Sequence, residues 1–188
     1  MPSRYFTKTF EAGEGSGTHA QFFFIDTSPF IEDYQRQPDK YAVEDQDVAR
    51  QLRWLEAELK KSTARWKIVV GHHPVYTVGK RKKEAGGGIQ KELEATLVPL
   101  LEKYHVQAYM AGHEHDLQLI RRPGGTVTHL VSGAGSEVRP LGAPDKDDGR
   151  LFAASTAGFM AFALTADALK VEVVDDRNRV PYTITLKP

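Results

Sequence analysis

Two apolar runs of the chain end in the same way, with a glycine that is followed at once by histidine. The runs are WKIVVGHHP at 66–74 and VQAYMAGHEH at 106–115. Each pattern predicts a short buried strand that stops at its glycine, Gly71 or Gly112. Glycine permits a sharp turn and a close approach of the backbone to a bound group. Both junctions therefore predict imidazoles that project from strand ends.

Helical periodicity separates these runs and indicates the fold class. A helix is predicted over 45–61, because apolar residues recur there at helical spacing: Val48, Leu52, Leu55 and Leu59. Leucines predict a second helix over 90–104, in which Pro99 is expected to kink or restart the helix. A further buried strand is predicted at 21–27, QFFFIDT. Strands that alternate with helices favour parallel pairing.

The last third of the chain has a different pattern, with little helical period. THLVSG, GFMAFALT, LKVEVVDD and VPYTITL read as strands with short connections, and DDRN at 175–178 reads as a hairpin turn. They predict an antiparallel meander that completes or faces the earlier sheet. The expected fold is a single α/β domain over 1–188, with parallel βαβ units first and antiparallel strands afterwards.

Composition excludes several classes of function. Lys and Arg together number 25, and Asp and Glu together also number 25, so the net charge is zero. The chain therefore has no overall electrostatic field that attracts nucleic acid or an acidic membrane. No apolar run is long enough to span a bilayer. The absence of cysteine removes disulfides and thiolate metal sites. The first ten residues lack a signal-peptide pattern, and the compartment stays undetermined.

Four of the seven histidines lie in the two strand-end clusters. In open α/β sheets, ligands bind outside the carboxyl ends of the strands, so the two clusters are expected to converge. Neutral imidazole is the commonest metal ligand in proteins. The expectation is that His72, His113 and His115 share one small pocket. The alternative is a polar turn with hydrogen-bonded structural histidines, which is how His19, His105 and His129 are interpreted.

Several ordered segments resemble one family, the calcineurin-like metallophosphoesterases, in the tartrate-resistant branch of the purple acid phosphatases. VVGHHPVYTVG and YMAGHEHDLQLI resemble that family's fourth and fifth motifs, and FFFIDTSPF and THLVSGAGSEV keep the family's order. The resemblance implies a four-layer α/β/β/α sandwich and hydrolysis of phosphomonoesters. It also implies a binuclear metal centre of Fe with Fe, Zn or Mn, or of two Zn ions.

The resemblance also implies roles for individual residues. His72 and His113 would bind one metal, and His115 would bind the second. His73 occupies a variable position and is not assigned as a ligand. Arg81 stands where the family often has a histidine that holds the substrate phosphate. It lies in the basic run Lys80–Lys83, which is either a solvated loop or a cationic lip for phosphate.

Other polar residues near the strand ends are interpreted as structural. Asp26 is expected to be a turn residue. Glu114 and Asp116 are expected to be solvent-exposed or to support imidazole N–H groups, rather than to bind metal. The glycine-rich segment 132–137 does not match a P-loop.

The chain also departs from the family's pattern. No Gly-Asp and no Gly-Asn-His sequence occurs in it. The family's bridging aspartate, asparagine ligand, tyrosine and general acid therefore have no counterpart here. The chain is expected to correspond to a C-terminal part, with the N-terminal half missing or supplied as a separate chain. An uncovered sheet flank is then expected to favour self-association.

Two functions stay open at this point. The first is a phosphomonoester hydrolase that is incomplete as given and inactive alone, because three imidazoles cannot hold two cations without bridging carboxylates. The second is a non-catalytic remnant of the fold that binds a metal or a partner.

Overall fold

The computed structural model describes residues 3–79, 88–143, 146 and 148–188, with only the backbone described at 88–90. Its strands form two sheets. The ten strands are β1 Phe6–Glu11, β2 His19–Phe24, β3 Trp66–Val70, β4 Ala108–Ala111, β5 Leu117–Ile120, β6 Thr128–Ser132, β7 Arg150–Ala154, β8 Gly158–Leu164, β9 Leu169–Asp175 and β10 Tyr182–Leu186.

The larger sheet has seven strands in the order β1-β2-β3-β4-β6-β5-β7. Its central strands β2, β3, β4 and β6 are parallel, and both edges are antiparallel. The central strands are short apolar runs because helices cover one of their faces and other strands cover part of the second face. This arrangement places the carboxyl ends of β3 and β4 side by side.

Two longer helices cover one face of the large sheet. In chain order the helices are α1 Glu32–Gln35, α2 Pro38–Tyr41, α3 Val48–Lys61 and α4 Gly88–Lys103. Asp47 caps α3 by accepting a hydrogen bond from the Arg50 amide at 2.9 Å. Leu55 and Leu59 of α3 pack with Leu97 of α4 against the sheet. The helices thereby bury the side of β3 that carries Val69.

The smaller sheet is an antiparallel meander in the order β10-β9-β8, as predicted for the last third. It faces the large sheet on the side opposite the helices. Met160, Val171 and Val173 pack there with residues of the large sheet such as Ile68 and Leu119. The observed fold is thus mixed α/β, with a mostly parallel sheet first and antiparallel strands afterwards.

Some elements differ from the expectation. β1, β5 and β7 were not predicted, and β6 pairs with β4 in parallel instead of joining the meander. The strand β5 has four residues and directly follows the polar loop 112–116. This is too short a stretch for the alternation of apolar and polar residues to identify a strand. Of the two outcomes expected at Pro99, a restart of the helix is wrong, because α4 runs through Pro99 without interruption, and a kink stays a prediction. Leu97 and Leu101 on either side are fully buried, and their packing offsets the missing backbone bond.

Within the described residues, no helix is both long and apolar enough to cross a membrane.

His129 is a structural residue, as interpreted from the sequence. It lies on β6 and is 3% exposed. Its ring contacts the rings of Tyr76 and Tyr109, with centroid distances of 4.6 Å and 5.7 Å. Burial lowers the pKa of His129 to about 4, from an ordinary value of 6.5.

This burial predicts a specific loss of stability in acid. Between these two pKa values the unfolded chain binds more protons than the folded chain, so the free energy of unfolding falls as the pH drops from 6.5 towards 4. In His129→Phe, which keeps an aromatic ring, this fall should be smaller by up to about 3 kcal/mol, at 1.36 kcal/mol per pH unit. Urea unfolding at pH 7 and pH 4.5 measures the difference.

The matched control is His19→Phe, since His19 is exposed on β2. It should keep the acid sensitivity of the unsubstituted chain. An equal loss of stability in acid for His129→Phe and the unsubstituted chain would contradict the prediction.

Candidate metal centre

The two histidine loops leave the sheet side by side. Val70 of β3 pairs with Met110 of β4 in the parallel register. The pairing continues past the strands, because the Gly71 amide donates to the Met110 carbonyl at 3.0 Å and the Gly112 amide donates to the His72 carbonyl at 3.1 Å. The backbone thus holds His72 and His113 next to each other.

The side chains of His72 and His113 meet at this edge. His72 Nε2 lies 3.2 Å from His113 Nδ1, and the ring centroids are 5.1 Å apart. Two nitrogens bound to one tetrahedral zinc ion, each at about 2.05 Å, would lie about 3.3 Å apart. The observed nitrogen–nitrogen distance therefore fits two ligands of one ion. It confirms that the two strand-end clusters converge.

His73 also belongs to this group. Ligand atoms of His72, His73 and His113 all lie within 4.8 Å of one another. His73 is buried, and its Nδ1 lies 2.8 Å from the Thr27 hydroxyl, while its Nε2 lies 3.4 Å from the Tyr34 hydroxyl. Thr27 Oγ1 also accepts the His73 backbone N–H at 3.0 Å. Because both ring nitrogens face hydroxyls, this geometry suits a supporting residue better than a ligand.

The glycines of the two loops have different roles from those expected. A side chain at Gly71 would clash with the Tyr109 hydroxyl and the Thr27 methyl group, so the backbone approaches its neighbours too closely for any other residue. At Gly112 the space is open. The left-handed turn falls instead on His113, with φ of 63°. A histidine in this conformation is uncommon, and such strain often marks a functional site.

His115 is not part of this group of three. Its Nδ1 lies 3.0 Å from Glu137 Oε2. Glu137 also pairs with Arg139 at 3.1 Å, and the Arg139 hydrogen bond lowers the pKa of the Glu137 carboxyl. Glu137 lies in the glycine-rich segment 132–137, whose sequence gave no signal for this contact. The assignment of His115 as a metal ligand stays a prediction.

Glu114 and Asp116 are both buried, so solvent exposure is wrong, and their support of imidazole N–H groups stays a prediction. Asp116 Oδ1 accepts a hydrogen bond from Gln118 Nε2 at 2.6 Å. Burial raises the pKa of Asp116 to about 6. A side chain at Gly79 would clash with both carboxylates. These two carboxylates therefore lie in the packing beneath the loop, on the side of Gly79.

Two further candidates have simple outcomes. Asp26 is a turn residue, as expected, since its Oδ1 accepts the Ser28 amide at 2.9 Å. Arg81 and the run Lys80–Lys83 lie outside the described residues, so the substrate-binding role of Arg81 stays a prediction.

The arrangement fits part of a metal site. Among the described residues, His72, His73 and His113 are the group whose potential ligand atoms come within reach of one ion, and no carboxylate joins them. The nitrogens of His72 and His113 that face each other suit zinc or iron. They do not supply the bridge that a pair of cations needs.

Comparisons with known proteins identify the family of this chain. The family model of the calcineurin-like phosphoesterases matches residues 5–117, which include both histidine loops. Purple acid phosphatase 17 of Arabidopsis thaliana is 39% identical over 124 residues, covering 62% of this chain and 35% of that protein. Tartrate-resistant acid phosphatase type 5 of Homo sapiens is 31% identical over 145 residues, covering 74% of this chain and 42% of that protein. The chain spans about a third to a half of the length of such relatives.

Solved structures share the fold. A purple acid phosphatase from yellow lupin seeds superposes with a TM-score of 0.74 at 16% identity, over 97% of this chain and 32% of that chain. The anchor protein of the inner membrane complex of Plasmodium gives a TM-score of 0.81 at 24% identity, over 100% of this chain and 55% of that chain. With the family model matching more than half of its residues, this chain belongs to the calcineurin-like phosphoesterases.

Proposed function

We propose that this chain carries the C-terminal part of the active site of a metal-dependent phosphomonoester hydrolase of the purple acid phosphatase type. The observation that carries the proposal is the 3.2 Å separation of His72 Nε2 and His113 Nδ1 at the ends of adjacent parallel strands. In the proposed site these two nitrogens bind one ion, and His115 binds a second ion. The metals are Fe with Fe, Zn or Mn, or two Zn ions, as the resemblance implies.

The residues of this chain orient the ligands. His72 and His113 must be neutral to bind a metal, so acid weakens the site. The Thr27 hydroxyl oxygen accepts the backbone N–H of His73, and the Thr27 hydroxyl proton can be donated to His73 Nδ1. The ring proton of His73 is then on Nε2, which faces the Tyr34 hydroxyl. This fixes the buried ring against which the rings of His72 and His113 pack. When bound, a pair of cations would activate water and offset charge on the phosphoryl oxygens.

A second function is supported by one comparison. A solved protein of the same fold is described as an anchor. A non-catalytic domain that keeps the histidine pair for metal or partner binding would agree with that description.

The first test is metal binding by the full 188-residue chain. Zinc titrated into the chain should bind. Loss of a residue that only supports a metal ligand lowers metal affinity by roughly 10–100-fold. Because His113 is proposed as a ligand itself, His113→Gly should lower the zinc affinity by more than that. Glycine also suits the left-handed backbone at this position, so the fold should survive. Isothermal titration calorimetry measures the affinity.

His105→Gly is a matched control for this substitution. His105 also has positive φ, at 52°, and it is exposed. It should bind zinc like the unsubstituted chain. Equal zinc affinity in His113→Gly and His105→Gly would overturn the assignment of His113 as a ligand.

The second test is turnover by the chain alone. We expect no appreciable hydrolysis of a chromogenic phosphomonoester with added iron, zinc or manganese, because the imidazoles leave the repulsion between two cations uncompensated. Metal-dependent turnover by the 188-residue chain, abolished in His113→Gly, would show that the upstream motifs are dispensable.

A third test concerns Arg81 in an enzyme completed with the family's upstream motifs. Arg81→Ala should raise KM while changing kcat little, because a cationic lip binds the phosphate equally in the ground state and the transition state. Lys91→Ala, on α4, is the control for loss of a cation ten positions later in the sequence. Unchanged KM in Arg81→Ala would remove Arg81 from the site.

A further inference from the structure

The glycine-rich segment 132–137 packs against the loop that carries His113 and His115. β5 and β6 pair in antiparallel register up to Leu117 and Ser132, so the loop before β5 and the segment after β6 leave the sheet together. The Gly133 amide donates to the Asp116 carbonyl at 3.2 Å, which carries the pairing beyond the strands. A side chain at Gly133 would collide with the Glu114 carbonyl oxygen. Glycine is therefore required here for the segment to reach the histidine loop.

Two further hydrogen bonds fix the position of the residues that follow this segment. The Arg139 amide donates to the His115 carbonyl at 2.8 Å, and the Ser155 hydroxyl donates to the Arg139 carbonyl at 2.8 Å. The backbone of Arg139 is thus held next to that of His115. Glu137, two residues earlier, is thereby placed beside the His115 side chain, and its Oε2 lies 3.0 Å from His115 Nδ1.

Arg139 also holds the Glu137 carboxylate by both oxygens. Its Nε lies 3.3 Å from Oε1, and its Nη2 lies 3.1 Å from Oε2. Two N–H groups that meet the two oxygens of one carboxylate fix its orientation as well as its position. The Glu137 side chain is 57% exposed, so this ion pair adds little to the stability of the fold. Its effect is to turn one carboxylate oxygen towards His115.

This contact decides which nitrogen of the neutral His115 ring carries the proton. An ionised carboxylate only accepts hydrogen bonds, so an unprotonated Nδ1 would bring two lone pairs together at 3.0 Å. With the proton on Nδ1, the same contact is attractive. Nδ1 is buried, and within the described part of the chain no acceptor lies straight along its N–H direction. Glu137 Oε2 needs only a small rotation to do so.

The opposite nitrogen of His115 is then left with its lone pair. The side chain is 27% exposed although Nδ1 is buried, so the exposure belongs to other atoms of the side chain. A metal ligand must offer an unprotonated nitrogen to the ion. It commonly donates its other N–H to a carboxylate, which fixes the ring and makes the free nitrogen more basic. His115 and Glu137 have the positions that this arrangement requires.

Glu137 is less suited to bind a metal ion itself. Both of its oxygens already face the Arg139 guanidinium, and an ion bound to them would lie beside that positive charge. Among the described residues, no carboxylate joins the group of histidines that could share one ion. The position of Glu137 therefore suits support of a ligand.

We infer that Glu137, oriented by Arg139, is a positioning residue for His115: it keeps the ring proton on Nδ1 and leaves Nε2 as the nitrogen that binds an ion. The position of the proton rests on the geometry of this chain, whereas the ion at Nε2 rests on the proposed function. The glycine-rich segment, which does not match a P-loop, then serves to support a histidine.

The experiment determines the tautomer of His115 in the metal-free 188-residue chain at about pH 8, where histidine is neutral. Long-range proton–nitrogen correlations measured by NMR distinguish the Nδ1–H form from the Nε2–H form, and His115→Gln assigns the signals. We expect the Nδ1–H form to dominate. In Glu137→Ala, the ratio of the Nδ1–H form to the Nε2–H form should fall by about fivefold or more, which is the change expected when one ordinary hydrogen bond is lost.

Two variants separate positioning from a general effect on the fold. Glu137→Gln keeps an acceptor for Nδ1, so the ratio should fall less than in Glu137→Ala. Asp167→Ala is the matched control, because Asp167 is also an exposed carboxylate paired with an arginine, Arg65, at 2.8 Å. It should leave the His115 ratio unchanged. Since Glu137 is exposed, the midpoint of urea unfolding should be the same in Glu137→Ala as in the unsubstituted chain.

Three results overturn the inference: a dominant Nε2–H form in the unsubstituted chain, an equal ratio in Glu137→Ala and Asp167→Ala, or an equal fall in Glu137→Gln and Glu137→Ala. The tautomer is measured without metal, whereas the proposed function is tested by zinc binding at His72 and His113. A chain with the Nδ1–H form that fails to bind zinc would therefore contradict the proposed function and leave the role of Glu137 in place.

Discussion

The hydrogen bond from the Gly112 amide to the His72 carbonyl is the contact on which the candidate site depends. At 3.1 Å it extends the β3–β4 pairing by one step beyond the strands. This bond keeps the two loops together as they leave the sheet. With it, the backbone positions of both histidines follow from the parallel register of two buried strands. A rigid sheet thus positions the ligands, although they lie in loops.

The buried layer beneath the loops supports the same geometry. The Tyr109 hydroxyl donates to the His73 carbonyl at 2.8 Å, so β4 holds the loop that follows β3. Gln51 of α3 bonds both the amide and the carbonyl of Asp26, at 2.8 Å and 2.9 Å. This places Thr27 against His73. The polar groups near His73 are therefore satisfied by elements from three separate parts of the chain.

The sequence predicted the parts of this arrangement that follow from periodicity. The strand runs before Gly71 and Gly112 and the helix around Leu55 and Leu59 carry strong patterns, and all appear where expected. Convergence of the histidine clusters followed from the rule that parallel strands share one carboxyl edge. These predictions needed only local pattern and general topology.

What the sequence did not reveal depends on contacts between distant residues. The burial of Glu114 and Asp116 results from packing against Gly79, and polar residues beside a turn ordinarily indicate exposure. The conformation of His113 is another example, since the preceding Gly112 would be expected to take the left-handed turn. The contact of His115 with Glu137 joins residues of two loops. Each of these outcomes is decided by tertiary contacts, which a single sequence does not encode locally.

The ends of two parallel strands supply part of a metal site, and the geometry of the sheet explains why it is only a part. The parallel register holds His72 and His113 side by side, so two neighbouring strands can offer one ion two imidazole nitrogens. A metal ion bound by two imidazoles requires further donors. Any group that supplies them must reach the same carboxyl edge of the sheet. Binding of that group and binding of the ion would then be thermodynamically linked, and each would strengthen the other by the same free energy.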